Sequence, residues 1–161
     1  MPVVQGAANA RATHKLPWTA VQQSVATNAV LISTATAALP NGAATTTTTG
    51  IDLETVSTSA DFLARAEFLL SAPALTTGQL ADTQTITYSI ETATDAAFTS
   101  PVVFNASMFV QTGAGAAGDV AKSARFRLPT NVLRYVRAKA IKTGASNAST
   151  ASMTLKLVTL E

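Results

Sequence analysis

From about residue 50 onward, apolar and polar positions alternate with a period of two, the pattern of strands that bury one face. Residues 84–92 alternate most cleanly, with Ile86, Tyr88 and Ile90 facing inward and Thr85, Thr87, Ser89 and Glu91 outward. Residues 62–70 place Phe62, Ala64, Ala66, Phe68 and Leu70 on a buried face opposite Leu63, Arg65, Glu67 and Leu69. Ala124, Phe126 and Leu128 alternate with Arg125 and Arg127 until Pro129 stops the strand. Val136, Ala138 and Ala140 oppose Tyr135, Arg137, Lys139 and Ile141, and Met153, Leu155 and Leu157 oppose Thr154, Lys156 and Val158. Residues 49–56 form a further strand candidate. Residues 101–104 and 107–111 are two short apolar runs, and a glycine loop follows at 113–118. The pattern predicts about seven or eight short strands and no long helix after residue 50. The fold class is therefore all-β, an antiparallel jelly roll or β-sandwich. The cysteine and tryptophan pair of immunoglobulin domains is missing, which favours the jelly roll. Phe68, Ile86, Tyr88, Ile90, Phe126, Val136, Leu155 and Leu157 are the expected core.

The first fifty residues read differently. Residues 1–15 are mostly small and polar, and residues 33–50 are almost entirely Ser, Thr, Ala and Gly around a Pro40-Asn41-Gly42 turn signal. Between them stand Leu16-Pro17-Trp18 and an apolar cluster at Val30, Leu31 and Ile32. A short helix over 21–32 is weakened by Thr27 and the β-branched residues. This pattern predicts an extended N-terminal arm over 1–45 and a β domain over 46–161. Trp18 either caps the protein's own core or anchors in a neighbouring subunit, where tryptophan is enriched.

Composition narrows the chemistry. Ala and Thr together make up more than a third of the 161 residues, and charged residues are only 12%. There is no cysteine and one histidine, His14, so disulfide scaffolds, thiolate metal sites and two-imidazole schemes are excluded. No apolar run approaches the length of a membrane span, and the first residues lack the basic-then-apolar pattern of a secretory signal. The triplets at Asn105 and Asn147 fit the glycosylation pattern, but such matches arise by chance in a Ser/Thr-rich chain.

The net charge of +2 hides an asymmetry: residues 1–121 carry three basic groups against eight acidic ones, whereas residues 122–161 carry eight basic groups against Glu161 alone. Nucleic acid would suit a basic block, but single-strand readers add a stacking platform, and only Phe126 and Tyr135 are aromatic here. Pairing of the basic end with the acidic earlier part, or contact with an acidic neighbour, is the expected use.

The run Gly113-Ala114-Gly115-Ala116-Ala117-Gly118 matches the dinucleotide fingerprint literally. That motif needs a following helix and an acid about twenty residues on. The chain has a strand pattern instead, and residues 138–142 hold no acid, so a hairpin loop is expected and no cofactor. Asp52 and Glu54, with Asp61 after them, suggest carboxylate chemistry but lack the spacing of a calcium loop, and a solvated strand edge is expected. Asp95 is expected to organise a turn, and His14 has neither nucleophile nor orienting acid nearby. No catalytic site emerges.

The stretches Ile86-Thr87-Tyr88-Ser89-Ile90-Glu91-Thr92-Ala93-Thr94-Asp95, Ser123-Ala124-Arg125-Phe126-Arg127-Leu128-Pro129 and Leu133-Arg134-Tyr135-Val136-Arg137-Ala138-Lys139 resemble the capsid cement (decoration) proteins of tailed bacteriophages. The resemblance spans roughly residues 50–160. It implies a non-enzymatic virion protein on the capsid exterior, often a trimer, that binds the major capsid protein and braces the shell; the residues themselves lead us to expect neither nucleic acid nor membrane as partner. Leu16, Trp18, Val30, Leu31 and Ile32 in the arm, with Arg125, Arg127, Arg134 and Arg137 in the basic strands, are the expected partner-binding residues. The other class of function weighed is a carbohydrate-binding or adhesin-type β-sandwich, which would need exposed aromatics to stack on sugars.

Overall fold

The alternating segments become the strands of two antiparallel sheets in a computed structural model that describes residues 22–24, 29–56, 66–129 and 132–160. The strands are β1 (Gln22–Ser24), β2 (Ala29–Ala38), β3 (Thr45–Thr47), β4 (Ile51–Asp52), β5 (Ala66–Ala72), β6 (Thr85–Ala93), β7 (Val102–Thr112), β8 (Lys122–Phe126), β9 (Tyr135–Lys142) and β10 (Ser152–Leu160), with a short helix α1 (Leu53–Val56) after β4. One sheet has the order β1-β2-β10-β5-β8; the other has β3-β9-β6-β7, with β4 also on β9. The protein is a β-sandwich. With β3 and β4 counted as one interrupted edge strand and β1 set aside as the antiparallel partner added outside β2, eight strands wind between the sheets in the order of a jelly roll.

The inward alternation explains the core. Phe68, Leu70, Met153, Leu155 and Leu157 from one sheet pack with Ile86, Tyr88, Ile90, Val136, Ala138 and Ala140 from the other, all buried in one cluster. Of the expected core, Phe126 alone is only half-buried, because it lies on the edge strand β8 and stacks on Phe68 at 5.3 Å.

The boundary of the arm moves. Residues 29–38, assigned to an arm over 1–45 by their small side chains, pair as β2 with β10 along its whole length, and Thr45–Thr47 pair with β9. Register gives the reason: Ala35 lies opposite Leu155 and Ser33 opposite Leu157. Small residues complete a core when large ones face them, so the β domain starts before residue 46. Val30 and Leu31 accordingly sit in β2, paired with Thr159 and Val158, and Ile32 packs partly buried against the core. Leu16 and Trp18 lie outside the described residues.

Three other expectations change. In 49–56 only two residues are strand, because the Asp52 side chain accepts the Glu54 N–H at 3.0 Å and starts α1. The runs at 101–104 and 107–111 are one strand, β7, whose register with β6 shifts around Asn105 to Ser107, where Asn105 Oδ1 accepts the Ser107 N–H at 2.9 Å. Ser89 and Glu91 point to the outer face as expected, yet both are buried. Asp95 accepts hydrogen bonds from the Thr99 N–H and hydroxyl and so shapes the 94–101 connection, which carries Phe98 back over Arg137, the partner of Glu91.

Candidate functional site

Among the described residues no group of three or more His, Cys, Asp or Glu side chains could hold a metal ion, and no helix is long and apolar enough to cross a membrane. The glycine run at 113–118 is the β7–β8 connection. Its N–H groups are used internally: Ala114 donates to the Gly118 carbonyl, Ala117 to the Ala114 carbonyl, and Ala116 to Asp82. Gly118 takes a positive φ of 74°, and a Cβ there would lie 1.9 Å from the Leu75 carbonyl oxygen. These glycines let the loop lie against residues 75–81 rather than cradle a phosphate.

The basic block meets the acidic part of the chain. Arg125 and Arg127 share Glu67, at 3.7 and 3.0 Å. The Arg134 guanidinium grips both Asp52 oxygens, at 2.9 and 2.8 Å, and reaches Glu54 at 2.7 Å. Arg137 and Lys139 converge on Glu91, at 2.8 and 2.6 Å, and Arg137 stacks 4.1 Å above the Phe98 ring. Burial raises the Glu91 carboxyl, but hydrogen bonds and charge from Lys139 and Arg137 outweigh it and hold the group below the ordinary carboxylate range. The carboxylates at 52 and 54 thus serve an ion pair rather than acid–base work.

The four arginines expected to bind a partner do not form one patch. Arg125 and Arg127 stand on the outer face of the β8 sheet, since Phe126 between them turns inward to Phe68. Arg137 stands on the outer face of the opposite sheet, between the inward Val136 and Ala138, and Arg134 lies just ahead of it at the start of β9. Membership of opposite sheets separates them.

The feature the periodicity did not reveal is an apolar edge beyond which no described strand lies. β7 and β8 are the outer strands of their sheets, on the same side of the sandwich. At the start of β7, Val102 is 54% and Val103 51% exposed, and Phe104 is also exposed. The Phe104 ring lies 6.1 Å from Phe126, which stacks on the buried Phe68, so an aromatic ladder runs from core to surface. The only signal in the sequence was the Pro101-Val102-Val103-Phe104 run; alternation shows which face a residue takes, not whether its strand has a neighbour. At the neighbouring edge strand the exposed Arg125 and Arg127 flank Phe126.

Set against known proteins, the chain matches no family model, no curated protein and no solved structure.

Proposed function

We propose that this chain is a structural, non-enzymatic virion protein that binds the outer surface of a tailed-phage capsid through the major capsid protein and stabilises the shell, acting as a trimer. The observation that carries the reading is the sandwich edge left uncovered by the described residues: Val102, Val103 and Phe104 stand out beside Phe126, an apolar surface suited to a protein partner. The resemblance to cement proteins supports the choice of partner, because its three stretches fall on β6, β8 and β9 and their flanking turns, all within one sandwich. A body built largely of small side chains, with its charges mostly paired internally, suits bracing rather than turnover.

Purified protein mixed with capsids stripped of external proteins should co-sediment at a saturating ratio and raise the temperature at which the shells release DNA. Sedimentation separate from the shells, with saturable binding on a glycan array, would replace this reading with the carbohydrate-binding one.

A further inference from the structure

A strand at the edge of a sheet offers unpaired N–H and C=O groups to any extended chain, and proteins ordinarily blunt such edges with charge. β7 carries no charged residue among its eleven, and its first three side chains are apolar and exposed; charged groups cover the edge only toward its end, where Lys122 donates to the Val110 carbonyl and Asp119 accepts the Thr112 N–H. The bulge around Asn105 to Ser107 interrupts the edge, so pairing there is limited to a short stretch and the side chains must supply much of the contact. Phe104 and Phe126 supply it, as the outer rungs of a ladder rooted on Phe68.

Charge selects the occupant. On the outer face of the adjoining sheet, Arg125 and Arg127 share a single carboxylate, Glu67. Lys156 stands on the same face, since it lies opposite Leu69 and Leu69 lies opposite Arg125. Among the described residues on this outer face, Arg125, Arg127 and Lys156 thus meet one acid, Glu67. A partner segment with carboxylates would be attracted to this net positive flank, whereas a second copy would bring only the same excess of cations to it.

We propose that the β7–β8 edge takes up an extended, apolar, acidic segment of a partner protein, which pairs with β7, packs on Val102, Val103, Phe104 and Phe126, and places carboxylates on Arg125 and Arg127. This is strand addition, with backbone pairing giving affinity and the flanking groups giving specificity. It rests on reading this edge as a protein-docking surface, not on the partner being a capsid protein.

The test is selection of random twelve-residue peptides on the immobilised full-length protein, followed by binding of the selected synthetic peptides in solution. Enriched sequences should combine alternating apolar residues with Asp or Glu. Val103→Glu and, separately, Phe104→Ser should weaken binding at least tenfold; both positions are exposed, and unchanged melting curves check that the fold persists. Arg125→Gln with Arg127→Gln should abolish the preference for acidic peptides over their Asn/Gln twins. Enrichment of basic or neutral sequences, no enrichment, binding indifferent to the edge variants, or self-association abolished by Val103→Glu would each overturn the proposal. No capsid enters this experiment, so peptide binding without co-sedimentation would refute the capsid reading alone, and co-sedimentation without peptide binding would refute this one alone.

Discussion

The Tyr88 hydroxyl donates to Gln111 Oε1 at 2.7 Å in the buried core, and Gln111 Nε2 in turn donates to the carbonyls of Pro73 and Val120, both at 2.8 Å. One buried amide on β7 thereby joins β6 to the segment that leaves β5 and to the one that follows the glycine loop. Tyr88→Phe should leave the Gln111 oxygen without this donor and cost about 1–3 kcal/mol, and Gln111→Leu should cost more, because two carbonyls also lose their donor. Urea titration should show a lower midpoint with an unchanged slope.

Glu91, 2% exposed and held by Arg137 and Lys139, should dominate the acid limb of stability. Its folded-state carboxyl titrates below the ordinary range, so its contribution is present above the unfolded value of about 4.3 and is lost as pH falls through the folded one. Glu91→Gln should cost about 3 kcal/mol at neutral pH, by leaving two cations against a buried amide. Denaturation between pH 2 and 7 should show a shallower acid slope for this variant.

Two groups should act in opposite directions in alkali. Lys142 is buried and donates to Gln84 Oε1 at 2.9 Å and to the carbonyls of Thr143 and Gly144, with its ammonium lowered by burial. The folded state therefore releases this proton before the unfolded chain does, and stability should rise as pH passes the folded value toward about 10.4. Burial, reinforced by the charge of Asp119, raises the Tyr88 phenol, so above about 10 the unfolded chain ionises first and stability should fall. Lys142→Met should remove the rise and Tyr88→Phe the fall, as read from melts between pH 7 and 11.

The glycine loop offers a comparison within one motif. Gly115 and Gly118 both take positive φ, but a Cβ at Gly115 meets open space whereas one at Gly118 meets backbone atoms of Leu75 and Thr76. Gly115→Ala should cost about 1–2 kcal/mol from the left-handed conformation alone. Gly118→Ala should cost clearly more, because the loop must leave residues 75–76.

Strand faces were legible from the residues because burying one side of a pleated chain imposes a period of two. Ile86, Tyr88 and Ile90, Val136, Ala138 and Ala140, and Met153, Leu155 and Leu157 all face the core as that period requires. The turn at Asp95 and the pairing of the basic end with earlier acids were legible for a similarly local reason, the chemistry of the side chains themselves. What only the tertiary structure decided depends on neighbours far along the chain. Ala35 belongs to the sandwich because Leu155 lies opposite it, Glu91 is buried because Phe98 returns over Arg137, and Val102 to Phe104 stay exposed because no described strand lies beyond β7. Alternation specifies which side of a strand is apolar; strand order, which the period leaves free, determines what that side meets.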